Sequence, residues 1–468
     1  MDLTPRHFKT YAKKNLKNSQ LRKAYQFATA HALLKRKEQV RTIPEWEELR
    51  NKAHELKKEV IEHLGAYLEQ LENRVTTNGG TVFWASDGRE ASDYILGLAQ
   101  KFRVKTIVKS KSMTTEEMKL GPLLEKANIE VVETDLGEYI VQLAREMPSH
   151  ITAPALHKTR EEIGRLFAAR LGIPYTSVPE ELCTVARRIL RQKFLVAEMG
   201  ISGVNFAIAE TGTIVVVENE GNARLSIGMP KIHVAVMGLE KVIPRLADLP
   251  VFLKLLPASS TGQRLTSYVS LVNSPRRPGE LDGPEEFHLV ILDNGRSEIL
   301  ANPMMRESLY CIRCGACLNT CPVYQRVGGH SYGSVYSGPI GAVLTPLYQG
   351  MEVAQDLPYA SSLCGACSEI CPVKINIHHL LLWLRSQVVK EDCSPWRERA
   401  MMKLFLMGMQ DSFIYRMGSN LIRAAMRVSG KRDMALPVPG WTEARDFPPL
   451  AKKTFKQLWK DLEKEAQD

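Results

Sequence analysis

No stretch of this 468-residue chain approaches the ~18 consecutive apolar residues of a membrane-spanning helix, so no span is expected. The N-terminus, MDLTPRHFKTYAKKNLKNSQ, is basic but lacks an apolar core segment, which argues against a secretory signal. Neither a G-x-G-x-x-G for a dinucleotide nor a GK[ST] phosphate loop occurs, so the chain carries no nucleotide-cofactor motif. No recognisable nucleic-acid reader module is present either. The remaining composition, 44% hydrophobic and 24% charged, is that of an ordinary soluble protein with room for two to four domains.

The net charge of +10 is unevenly spread: residues 1–41 hold eleven Lys/Arg against Asp2 and Glu38. Such a segment reads first as a solvated helical arm, and second as a dock for an acidic partner or an anionic membrane surface.

Seven of the nine cysteines fall within 61 residues, as Cys311-x2-Cys314-x2-Cys317-x3-Cys321-Pro322 and Cys364-x2-Cys367-x3-Cys371-Pro372. The first run is that of bacterial-type two-cluster ferredoxins, where the fourth cysteine ligates the other cluster. Thiolates are soft ligands suited to iron in a tetrahedral sulfur field. Zinc ribbons favour two cysteine pairs, and disulfides are out of place without a secretory signal. The pattern therefore points to iron–sulfur clusters in a reducing cytoplasm. Crosswise pairing gives Cys311, Cys314, Cys317 and Cys371 to one cluster and Cys321, Cys364 and Cys367 to the other. A full second copy would place a cysteine where Ser361 stands. That fourth iron corner is open to Ser361, water, another residue or a partner group, or is empty in a three-iron cluster. The expected cofactors are two [4Fe–4S] clusters, with [3Fe–4S] as the alternative for the second. Cys183 and Cys393 each stand alone and read as inert thiols.

Four regions are expected: a basic helical region over 1–72, an α/β domain over 73–300, a two-cluster domain over 301–390, and a helical region over 391–468 with a proline-rich tail from Leu436 to Pro449. Short apolar runs at 81–84, 106–108, 129–133, 207–209, 213–218, 233–237 and 288–292 alternate with helical patterns, which predicts a mostly parallel α/β sheet. Thr114 and Glu117 have the spacing of a capping box opening a helix. The glycine-rich stretch 327–341 reads either as backbone amides approaching a cluster or as a flexible loop. Met401, Met402, Met407 and Met409 lie at helical spacing and read as core or docking contacts.

Ala209-Glu-Thr-Gly-Thr-Ile214 and Glu218-Asn-Glu-Gly-Asn-Ala-Arg224, followed by a ferredoxin region containing SSLCGACSEICPVKI, give the whole chain a specific resemblance. It resembles the lactate utilisation iron–sulfur proteins of the LutB family. The resemblance implies a central LUD domain similar in fold to ribose-5-phosphate isomerase, then an α-helical ferredoxin domain. It implies a role as electron carrier in oxidising L-lactate to pyruvate. The companion subunits it implies are a cysteine-rich redox protein and a second LUD protein. It also makes the serine at 361 a family trait.

The chain supplies no hydride acceptor of its own, so it is expected to relay electrons rather than to oxidise lactate alone. Two other readings stay open: a ligand or redox sensor, and an enzyme using an open iron corner as Lewis acid. In the central domain, candidate anion-binding residues are Glu210, Thr211, Gly212, Thr213, Asn222 and Arg224, together with Lys109-Ser-Lys-Ser112 and Ser259-Ser-Thr-Gly-Gln-Arg264. The competing reading makes Glu210–Gly212 a hairpin turn between the runs at 207–209 and 213–218.

Overall fold

Ten strands among the described residues form two sheets. In chain order they are β1 (Thr81–Ala85), β2 (Thr106–Lys109), β3 (Glu130–Glu133), β4 (Met199–Gly203), β5 (Phe206–Ile208), β6 (Thr213–Glu218), β7 (Ile232–Gly238), β8 (Val242–Ile243), β9 (Tyr268–Val272) and β10 (Glu286–Leu292). The computed structural model describes residues 3–393, 396–428, 451 and 453–466; the proline-rich segment 436–449 lies outside them.

The larger sheet is parallel throughout, in the order β1-β10-β7-β4-β2-β3. Helices cover both of its faces, so β7 (IHVAVMG) is buried along its whole length and its apolar residues run on without alternation. This is the expected α/β class. β4 was not among the expected strands. Its sequence, Met199-Gly-Ile-Ser-Gly203, has glycine at two of five positions, which lowers strand propensity. Gly200 is there for space: a Cβ would lie 1.7 Å from Ser226 O.

The smaller sheet, in the order β8-β5-β6-β9, holds the β5–β6 antiparallel pair. Thr211 and Gly212 are the turn of that hairpin. Gly212 has φ +69° and donates its N–H to Ile208 O at 3.0 Å.

The expected capping box at Thr114 does not form. Ser112 Oγ caps instead, accepting the Thr115 N–H at 3.3 Å, and the helix ends at Glu117. Lys119 then adopts φ +55° before a second helix, Leu120–Lys126. Glu117 is drawn away from the cap because its carboxylate meets Arg296 at 2.9 Å.

Four helices precede the sheets: Phe8–Lys17, Ser19–Arg41, Trp46–Glu62 and Leu64–Thr77. They are more than a solvated arm. Phe8, Ala12, Tyr25 and Trp46 are buried, leaving most of the lysines of 1–41 on the outer face. One continuous apolar core takes in Tyr25, Val60, Phe252, Leu289, Leu318 and Leu381, and so spans these helices, both sheets and the cysteine region. Residues 396–428, 451 and 453–466 belong to a separate unit of helices Trp396–Gln410, Ser412–Val428 and Phe455–Glu465. Met401, Met402, Met407 and Met409 are exposed there, 54–59%, so they form no core of that unit.

Candidate metal centre

The two cysteine runs fold as copies of one motif. Gly315 (φ +76°) and Gly365 (φ +80°) start the five-residue helices Ala316–Thr320 and Ala366–Ile370. Each helix is too short to bury much on its own, and the two pack against each other. The motif closes in the same way in both, with Cys321 N–H donating to Leu318 O at 3.2 Å and Cys371 N–H to Ser368 O at 3.3 Å. Pro322 and Pro372 follow at once and end the local ladder.

This packing sorts the cysteines into two neighbouring groups. Cys311, Cys314, Cys317 and Cys371 line one cavity, walled further by Ile151, Ile312, Ile340, Val373, Ile375 and Ile377 and by Arg313, Gly315 and Pro372. Cys321 lies beside Cys364 and Cys367, close enough for their charges to interact. The first group is enclosed, with only Cys311 partly accessible, while Cys364 of the second is exposed. Cys183 and Cys393 lie apart, and all nine thiols are free of disulfides.

Two neighbouring groups of soft sulfur donors fit iron–sulfur clusters. Among the described residues, no three His, Cys, Asp or Glu groups converge tightly enough to hold one metal ion. A zinc ion would draw its sulfurs to within ~2.3 Å of one point. Burial pushes the thiol pKa of Cys371 up to about 12 and that of Cys367 to about 11, so neither would be a thiolate without a cationic group to bind. The Tyr332 hydroxyl is fully buried with no hydrogen-bond partner, and it faces Cys321, Cys317 and Cys367. A buried orphan donor of this kind needs an acceptor at the sulfur groups.

Backbone amides are aimed at the thiols. Arg313 N–H donates to Cys311 Sγ at 3.4 Å and Tyr324 N–H to Cys321 Sγ at 3.5 Å, while the Ile340 amide reaches Cys317. Ile340 belongs to the glycine-rich stretch 327–341, which is largely buried rather than a flexible surface loop. Gly328 packs against the Tyr25 ring, where a Cβ would lie 2.4 Å from the ring edge.

Two basic side chains of the N-terminal helices hold the second run. Arg50 donates to Cys371 O at 2.8 Å and Glu369 O at 2.6 Å, and Arg36 to Ile370 O at 3.1 Å. No local signal marks these arginines, because their targets are over 300 residues away.

A buried ionic chain joins the cysteine region to the parallel sheet. Arg313, between Cys311 and Cys314, donates to Glu240 at 3.1 Å; Glu240 also accepts from Arg296 at 2.8 Å, which in turn meets Glu117. Burial raises the Glu240 pKa, but Arg296 and Arg313 outweigh it and hold that carboxyl at about 2.

A second cavity, of about 290 Å³, opens at the ends of β2, β4 and β6. Arg313 and Ile151 line both this cavity and the one between the first four cysteines. Of the candidate anion-binding residues, Asn222, Ser110, Lys111 and Ser112 lie on its wall, as do Ser260, Thr261 and Gln263 of the stretch ending at Arg264. Thr211, Gly212 and Thr213 are at the hairpin, Arg224 stacks on Tyr268 at 5.0 Å, and Arg264 is exposed beyond β6. Lys109 is consumed structurally, fully buried between Glu133 at 2.7 Å and Glu116 at 3.0 Å. Lys111 and Lys241 do line the cavity. Burial lowers both lysines, Lys241 to about 8.

Comparison with known proteins places family models along the chain. A LUD domain matches residues 68–292, a 4Fe-4S dicluster domain 307–375, and the C-terminal domain of lactate utilisation protein B 386–464. A protein of Bacillus licheniformis named lactate utilization protein B is 48% identical, over 99% of this chain and 98% of its own. Its namesake in Bacillus subtilis is 48% identical over 97% and 96%, and that of a Geobacillus strain 46% over 99% of both.

Proposed function

Because the chain belongs to the lactate utilization protein B family, we propose that it acts in oxidation of L-lactate to pyruvate as an electron carrier between subunits. The observation that carries this reading is the pair of adjacent cysteine groups, one enclosed and one reaching the surface at Cys364. Iron–sulfur clusters bound there supply one-electron transfer and no hydride chemistry. Cys311, Cys314, Cys317 and Cys371 would hold one, and Cys321, Cys364 and Cys367 the other, with Ser361 as the candidate for its fourth corner. Both are [4Fe–4S] in this reading.

The other residues position and insulate. Isoleucines around the first group exclude water, which keeps the local dielectric low. The amides of Arg313, Tyr324 and Ile340 stabilise negative charge on the sulfurs, and Arg36 and Arg50 fix the loop that brings Cys371 across. The surface around Cys364 is the contact for a redox partner. We assign the partners to companion lactate-utilisation subunits, a cysteine-rich redox protein and a second LUD protein, in the cytoplasm. The functional division follows 1–72, 73–300, 301–390 and 391–468.

Anaerobic EPR with iron quantification tests this. Two interacting reduced clusters and about eight irons per chain are expected. Purified chain that reduces a dye with L-lactate at enzyme-like rates, with no companion present, would sink the carrier reading.

A further inference from the structure

The 290 Å³ cavity beside the first cysteine group is at the lower edge of the size of small-molecule sites. Its walls are uneven in charge. Arg313 and Lys241 both line it, and Arg313, with Ile151, also lines the cysteine cavity. Arg313 is 92% buried, and although its Nη2 donates to Glu240 and Tyr348, its Nη1 has no hydrogen-bond partner. Among the described residues, the Lys241 ammonium has no hydrogen-bond or ion-pair partner. Asp135, Glu220 and Asn222 also line the cavity, and with them it offers acceptors for hydroxyl donors. A buried cationic N–H left unmet, as Nη1 of Arg313 is even beside Glu240, is costly unless an acceptor completes it.

We propose that this cavity binds a small hydroxylated organic anion. Its acidic group, carboxylate or phosphate, sits on Arg313 and Lys241, and its hydroxyls donate to Asp135, Glu220 or Asn222. Arg313 also gives its amide to Cys311, so the ligand and the first cluster share one residue. A bound anion there disfavours adding an electron to that cluster. By reciprocity, reduction weakens anion binding by the same factor. The inference stands apart from which subunits donate or accept electrons.

Anaerobic titration calorimetry of the cluster-loaded chain tests it with two probes, L-lactate for the carboxylate and glycerol 3-phosphate for the phosphate. One of them is expected to bind the oxidised protein, and to bind dithionite-reduced protein severalfold more weakly. Lys241→Gln, with iron content and EPR unchanged, is expected to weaken binding at least ~10-fold, about the loss of one charge-assisted hydrogen bond. Lys241→Arg is expected to keep it. Uptake of neither probe by the wild-type protein overturns the site, and needs no variant. Equal affinity in both redox states overturns the coupling, and Lys241→Gln binding like wild type overturns the assigned cationic end.

Discussion

Leu363 donates its backbone N–H to Ser361 Oγ at 3.1 Å, the relationship in which Arg313 meets Cys311 Sγ at 3.4 Å. Both donors hold left-handed backbone, φ +55° and +60°. The Ser361 hydroxyl therefore stands where a full second copy of the motif would carry a thiolate. A hydroxyl is a harder and more weakly ionised ligand, so an iron corner held by it is the labile one. Ser361→Cys is expected to slow iron loss to a chelator, and Ser361→Ala to raise an oxidised three-iron EPR signal. Identical spectra and loss rates in all three proteins would place the fourth ligand elsewhere.

In the proposed crossed ligation, the two terminal cysteines act away from their neighbours in sequence. Cys371→Ser is expected to damage the cluster built on Cys311, Cys314 and Cys317. Cys321→Ser is expected to damage the one near Cys364. Loss of the first cluster in the Cys321 variant, with the second intact by EPR, would refute the crossing.

Tyr332 stands between the two cysteine groups with an unpartnered hydroxyl. Donating to sulfur stabilises the reduced, more negative state. Tyr332→Phe is expected to keep iron content and lower the midpoint potential of a cluster in an EPR-monitored redox titration. An unchanged potential would mean that the hydroxyl does not donate to sulfur.

Arg50 links the N-terminal helices to the carbonyls of Cys371 and Glu369. Arg50→Ala should cost about 2–4 kcal/mol, since charged hydrogen bonds are lost and buried carbonyls are left bare. Anaerobic denaturant unfolding monitors this, along with faster release of iron. A variant as stable as wild type would show that the N-terminal helices do not hold the second run.

Glu116, Glu133 and Glu138 crowd one buried ammonium, Lys109, so the carboxylates outnumber it. Burial raises the Glu138 pKa from an ordinary 4.5 to about 7 and that of Glu133 to about 8. An acid raised in the folded state stabilises below its unfolded pKa, and that contribution is lost as pH climbs through the folded value. Stability should therefore fall between about pH 5 and 8. Glu138→Gln should flatten that fall, seen as a smaller difference in unfolding midpoint between pH 6 and 8.5. A variant with the slope of wild type would move the proton elsewhere.

Seven strand candidates, the helical N-terminus and both cysteine runs could be read from the chain, because each is written in contiguous residues. β4 could not, since its glycines answer a close approach by Ser226 and not a local propensity. The capping box at Thr114 failed for a related reason: Glu117 is claimed by Arg296, distant in sequence. The basic arm showed its charge, but not that Tyr25 and Phe8 dock it.

The sequence by itself determined the chemistry of the site, because spacing of two and three residues between cysteines is a local property that a short turn converts directly into geometry. Only the tertiary structure decided what surrounds that chemistry. Arg36 and Arg50 reach the second run, Ile151 and Arg313 wall two cavities at once, and Lys111, Lys241 and Asn222 line one cavity from segments far apart in the chain. Such convergence is fixed by packing of the whole core, where burial and not spacing sets which polar groups are left needing a partner.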